Sequence, residues 1–163
     1  MFNEFELLRR NVSDQNPLKV AAYCRVSTES AEQDISFKAQ IEYYTNLIQS
    51  NPNWEFAGIF ADKKSGMNIK DRAEFRKMMR KCYFGQINLI FTKSVSRFGR
   101  NVLDTLSCLQ KLADKNITVY FEEQGIHSLS HDALMAIGML SIHAQQEVSG
   151  QRPKCVLGHS TKL

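Results

Sequence analysis

Arg25 and Ser27 stand two apart at the end of an otherwise apolar run, LKVAAYCRV (Leu18–Val26). A guanidinium on such a run is costly to bury without an anionic partner, so Arg25 calls for an acid or a phosphate. Further basic residues follow in two later groups: Lys63, Lys64 and Arg72, then Lys93, Arg97 and Arg100. Guanidinium forks match phosphate oxygens bidentately, and several around one phosphorus would stabilise the extra charge of a five-coordinate transition state. Arg97 and Arg100, three apart at a helix entrance, can converge on one anion, aided by the donors and dipole of the helix N-terminus. Ser27 would then be a nucleophile beside an arginine-bound phosphodiester. Plainer roles stay open: Ser27 as an N-cap or turn former, and Arg97 and Arg100 paired with Asp104 and Asp71 on the surface.

These groups must be brought to one place by the elements between them. Leu18–Val26 reads as a central strand covered on both faces. Phe37, Ile41, Tyr44 and Ile48 at helical spacing predict a helix over Ser36–Ser50, stopped by Pro52. Trp54–Asp62 reads as a second strand and the basic, glycine-containing Lys63–Asp71 as a loop. A helix over Arg72–Phe84 turns Phe75, Met78, Met79 and Cys82 inward and is closed by Gly85. Strand Ile87–Thr92, helix Asn101–Lys115 and strand Ile117–Phe121 complete the alternation. The predicted fold is α/β, with a mostly parallel sheet of four to five strands flanked by helices. Ligands of such sheets bind outside the carboxyl ends of the strands, near the point where strand order reverses. Three successive strand-to-helix loops deliver the basic side chains to that edge.

The 163 residues suit one domain. The net charge of +4 is unevenly spread: Asp62–Arg100 holds eleven Lys/Arg against three acids, net +8, leaving −4 for the remainder. A concentrated positive block suits a nucleic acid backbone, or in part the wet face of one helix. Four scattered cysteines without a CxxC pair suggest neither a disulfide scaffold nor a zinc knuckle and fit a reducing, cytoplasmic setting. Cys24 reads as a small core residue. His127 and His131 lack a third ligand nearby, so no metal is expected. No GxxxxGK[ST] loop, GxGxxG turn or HExxH helix occurs, which argues against nucleotide- and zinc-driven chemistry. No stretch approaches the length of a spanning helix, so neither a signal peptide nor a membrane anchor is expected.

The segment after the fourth strand is different. From Ala133 to Ala144 nine of twelve residues are apolar, leaving no clean polar face. We expect Leu134, Ile137 and Ser141 to face the domain and Met135, Met139 and Ile142 a partner chain, with burial inside a single domain as the alternative. Residues 1–17 read as an N-terminal extension, 18–149 as the folded domain and 150–163 as a disordered tail.

YCRVSTES (Tyr23–Ser30), Gln40, FADKKSGMNIKDR (Phe60–Arg72) and TKSVSRFGRN (Thr92–Asn101) together resemble the catalytic domain of serine site-specific recombinases, the resolvase/invertase family. The likeness spans about residues 18–149. It implies a resolvase-like fold with a long C-terminal helix, Ser27 as the nucleophile that forms a 5′-phosphoserine link to DNA, and Arg25, Arg72, Arg97 and Arg100 as active-site arginines. Gln40 and Ser65 fall on its polar shell, and Tyr23, Lys93 and Ser96, inside the same motifs, are taken with them as substrate-binding residues. It also implies a homodimer through the helix at 133–149, a tetramer during strand exchange, and no cofactor. The SxSRFxRN form and Phe98 resemble the large, phage- or mobile-element-type branch.

Two departures stand out. Ser96 occupies a position where small resolvases carry an aspartate, and no DNA-binding region follows the helix in this sequence, so the chain by itself is expected to be inactive in full recombination. The rival function is a non-catalytic module of the same fold that binds phosphate or the DNA backbone. A receiver-like signalling domain is disfavoured because the first strand ends in Arg25 and Ser27 rather than acids.

Overall fold

The computed structural model describes residues 17–27, 31–64, 72–99, 102–129 and 135. They form β1 (Leu18–Ser27), α1 (Ala31–Gln49), β2 (Trp54–Lys64), α2 (Ala73–Tyr83), β3 (Leu89–Thr92), α3 (Val95–Phe98), α4 (Val102–Ala113), β4 (Thr118–Phe121) and β5 (Ile126–His127). The sheet order is β2-β1-β3-β4-β5. The first four strands run parallel, and β5 returns antiparallel to β4. The chain moves outward from β1 to β2 and then crosses to the other side of β1, so strand order reverses between β1 and β3.

β1 is apolar from Val20 to Cys24 because both its faces are covered there. Leu18, Val20, Ala22 and Cys24 meet Tyr44 and Ile48 of α1, with Leu89 and Phe91 of β3. Ala21 and Tyr23 face the other way, into a cluster with Met78 and Cys82 of α2, Leu109 and Leu112 of α4, and Phe98. Burial of each large side chain here contributes on the order of 1.5–3 kcal/mol. The inward face expected of α2 is confirmed: Met78 and Cys82 are buried, and Phe75 and Met79 pack against the cluster. Gly85 closes that helix at φ +69°.

Two elements start more than a residue away from expectation, and β2 runs on through Lys63 and Lys64, which were expected to open a loop. α1 starts at Ala31 rather than Ser36, because Ala31, Glu32 and Gln33 favour helix although the apolar period begins only at Phe37. β3 starts at Leu89; Asn88 instead ties the sheet edge, its N–H donating to the Lys19 carbonyl at 2.8 Å and its Oδ1 accepting from the Lys19 N–H at 3.1 Å. α3 and β5, of four and two residues, are too short to leave a period. Among the described residues no helix is long and apolar enough to cross a membrane. The long helix expected over Ala133–Ala144, and the chain from 136 on, lie outside the described residues; Met135, helical, is exposed.

Candidate active site

At the carboxyl edge of the sheet, the end of β1 lies between β2 and the segment after β3. Tyr23 is buried there and its hydroxyl donates to Asp62 Oδ2 at 3.0 Å. The same oxygen of Tyr23 accepts from Arg72 Nε at 3.0 Å. Asp62 does more than receive the phenol. Its two carboxylate oxygens accept the backbone N–H groups of Glu74 and Phe75, each at 3.0 Å. Those are among the unpaired donors of the first turn of α2, so an aspartate on the neighbouring strand caps the helix. Arg72 immediately precedes that helix, and its own side chain makes no cap bond. Its guanidinium lies over the Phe75 ring at 3.8 Å and the Tyr23 ring at 5.0 Å. Arg72 Nη2 also donates to the Phe98 carbonyl. Burial, opposed by Arg72 and reinforced by Asp62, pushes the Tyr23 phenol up to about 12.

The second arginine is fastened to the same short helix. Arg25 is half-buried, and its Nη2 donates to the Ser96 carbonyl at 2.7 Å. Ser96 takes part through its backbone, while its hydroxyl lies 3.1 Å from that of Ser94. The Val95 N–H donates to Gln124 Oε1 at 3.3 Å, which anchors the start of α3 to the loop after β4. At its end, Gly99 is pressed against α4: a Cβ there would sit 1.5 Å from Thr105 Oγ1. Only a residue without a side chain fits that approach.

The predicted residues are distributed as follows. Tyr23, Arg25, Arg72, Ser96 and Arg97 come to one edge, with Arg97 exposed on α3. The backbone of β1 continues through Ser27, paired with Lys64, while Arg25 pairs with Asp62. Gln40 is half-buried on α1. Lys93 is exposed at the end of β3 with its ammonium 3.7 Å from Glu123 Oε1, a surface pair of small energetic weight. Ser65 and Arg100 lie outside the described residues. Among the described residues no group of three His, Cys, Asp or Glu could hold a metal ion.

Asp62 was legible in the sequence only as the end of a strand; its place in the site comes from the β1–β2 register. A second cluster also escaped sequence reasoning. The phenols of Tyr43 and Tyr44 both donate to the Glu122 carboxylate, joining α1 to the end of β4. Two adjacent tyrosines on a helix carry no signal for a carboxylate some eighty residues away.

The fold is an open, largely parallel α/β sheet that gathers Arg25, Arg72 and Arg97 at its carboxyl edge, beside the reversal of strand order, where ligands of such sheets usually bind. Residues 20–155 match the Resolvase, N terminal domain family, and the chain belongs to that family. A resolvase/recombinase of Pseudomonas putida is 27% identical over 130 residues, covering 80% of this chain and 65% of that protein. The chain thus spans just under two thirds of that relative's length. The crystal structure of a resolvase family site-specific recombinase from Streptococcus pneumoniae superposes with a TM-score of 0.63 at 28% identity, covering 82% of this chain and 92% of that one. The N-terminal catalytic domain of TP901-1 integrase shares the fold, with a TM-score of 0.54 at 20% identity over 82% of this chain and 99% of that one.

Proposed function

We propose that this chain is the catalytic domain of a site-specific DNA recombinase that breaks and rejoins strands through a 5′-phosphoserine intermediate. One observation carries the reading most: Arg25 and Arg72, from different elements, both donate to carbonyls of α3, at Ser96 and Phe98. The helix that bears Arg97 is thereby fixed beside both guanidiniums. A guanidinium has five N–H donors, and the bonds to Tyr23 and Phe98 use two of those on Arg72.

In this reading the Ser27 hydroxyl loses its proton and attacks the phosphorus of a DNA strand. The P–O bond to the 3′ oxygen breaks, the 3′ hydroxyl leaves with a proton, and the 5′ phosphate stays on the serine. The arginines, Arg100 with them, stabilise the charge gathering on the non-bridging oxygens. Attack by a 3′ hydroxyl on the phosphoserine reverses the step. The phosphoester conserves the energy of the original bond, so rejoining requires no nucleotide. Gln40, Ser65, Lys93 and Ser96 belong to the surrounding polar shell. A homodimer through 133–149 and a tetramer during strand exchange, acting in the cytoplasm, complete the proposal.

The test is a suicide DNA substrate carrying the recombination site, incubated with the longest natural form of the protein. Expected is protein covalently attached to the 5′ end, absent in Ser27→Ala. DNA binding without an adduct in the unsubstituted protein would favour a non-catalytic phosphate-binding module, and an adduct that persists in Ser27→Ala would remove Ser27 as nucleophile.

A further inference from the structure

α3 is a single helical turn that bears Arg97, and its internal bonds are few. The N–H groups of Arg97 and Phe98 donate to the Ser94 carbonyl at 3.1 and 3.2 Å, and that of Gly99 to the Val95 carbonyl at 3.1 Å. A lone turn fixes several dihedrals for so few bonds, so its place must be set by neighbours. At its end the guanidiniums of Arg25 and Arg72 hold the carbonyls of Ser96 and Phe98. Its start lacks the usual device. Ser94 stands at the N-cap position with extended backbone, φ −157° and ψ 164°, yet its side chain makes no cap bond. The hydroxyl lies instead 3.1 Å from that of Ser96. Val95 is buried, so an unpaired N–H there would be costly. Its acceptor comes from outside the helix: Oε1 of Gln124, at 3.3 Å.

The turn that carries Gln124 is fastened on both sides of it. Glu122 N–H donates to the Thr92 carbonyl at 3.0 Å and Glu123 N–H to the Lys93 carbonyl at 2.9 Å, extending the β3–β4 pairing past the strand ends. Gly125, at φ +62°, closes the turn with its N–H on the Glu122 carbonyl at 3.2 Å. The Glu122 carboxylate takes both phenols of Tyr43 and Tyr44, which fixes the turn to α1 as well. Gln124 itself is half-buried, and its side chain crosses from this turn to α3. A backbone held in this way gives the side-chain amide a fixed reach. α3 is thus gripped at Val95 from the sheet and at its end by two arginines. We propose that Gln124 is a positioning residue for the strand cleavage proposed above: through the Val95 N–H it sets where α3 holds Arg97 relative to Arg25 and Arg72. The inference rests on that reaction, and the role belongs to the acceptor oxygen of the amide. Without it, α3 is located from one end only, by guanidiniums that must also meet the phosphate.

The test is single-turnover cleavage of the suicide substrate at saturating DNA by the longest natural form of the protein, with DNA affinity measured separately. Gln124→Ala shortens a half-buried side chain on a turn and leaves both apolar clusters intact. It should slow cleavage roughly 10- to 10²-fold, the scale of a misplaced catalytic group, with little change in affinity. Gln124→Glu keeps an oxygen within reach of the Val95 N–H and should regain most of the rate; Gln124→Asn, one methylene shorter, should not. In an Arg97→Lys background the alanine change should cost far less, because the group it positions is already lost. Cleavage by Gln124→Ala at the unsubstituted rate, or a loss confined to affinity, would overturn the proposal. So would a glutamate variant as slow as the alanine one, or a full loss persisting beside Arg97→Lys. If the unsubstituted protein forms no adduct, the recombinase reading itself falls, and this inference with it.

Discussion

Arg72 Nε donates to the hydroxyl of Tyr23 at 3.0 Å, although 49 residues separate the two along the chain. The phenol is held in turn by Asp62, which also caps the helix that Arg72 precedes. The orientation of a surface-edge guanidinium is thus set by a buried tyrosine and an aspartate, each fixed by the sheet.

Tyr23→Phe keeps the ring packed edge-on against Phe75 and Phe98, with centroids 5.0 and 6.5 Å away. It removes one acceptor from Arg72 and one donor to Asp62. We expect a stability loss of about 1–3 kcal/mol by urea unfolding. Cleavage should fall further than global unfolding accounts for; cleavage equal to that of the unsubstituted protein would show that Arg72 is positioned without the phenol.

Asp62→Asn replaces one carboxylate oxygen by a donor facing Tyr23 or the N–H groups of Glu74 and Phe75. The expected loss is roughly 1–2 kcal/mol, the scale of a helix cap. Because the defect lies at the first turn of α2, amide exchange of Glu74 and Phe75 should accelerate more than that of Met78 or Cys82. Uniform acceleration along the helix would contradict a local capping role.

Gly99→Ala places a methyl 1.5 Å from Thr105 Oγ1 and 2.8 Å from its Cβ. The α3–α4 junction must shift, at an expected loss of about 1–3 kcal/mol. Thr105→Ala removes the nearest atom, so the double variant should recover part of that loss. A double-mutant cycle with no coupling energy would refute the clash.

Arg97→Lys retains the charge and loses the planar two-point contact to phosphate. If Arg97 stabilises the transition state as proposed, cleavage should fall roughly 10²-fold or more, with the fold unchanged because the side chain is exposed. Near-normal cleavage by the lysine variant would reduce its role to attraction of DNA.

Burial pushes the Cys24 and Cys82 thiols up to about 12 and Cys108 to about 11, from an ordinary value of 9.0. Tyr23 is raised likewise, from 10.0 to about 12. Each group is held neutral by the fold, so the unfolded chain releases protons at lower pH than the folded one. Their contribution to stability is complete below pH 9.0 and is lost as pH rises through the folded values. Thermal unfolding should show Tm falling progressively above that pH, with a shallower slope in Cys24→Ala. At neutral pH the native Cys24 and Cys82 thiols should react with iodoacetamide far more slowly than in denaturant. Rapid native alkylation would mean that they are not enclosed.

The alternation of apolar runs and helical periods was sufficient to fix the α/β class, because strands covered on both faces read as continuous apolar stretches and helices as 3.6-residue periods. That Arg25, Arg72 and Arg97 reach one edge was legible as well, because topology sends successive strand ends to one side of the sheet. The partners of those arginines were not legible. Arg25 was expected to need an acid or a phosphate; that its Nη2 also bonds the Ser96 carbonyl, a backbone group, is something no side-chain pattern announces. Asp62 entered the site through the register that sets it opposite Arg25, and Gly99 through the close approach of α4. The two arginine bonds to α3 join residues 26 and 71 positions apart. Local propensity and periodicity act over a few turns, so only tertiary packing decides them.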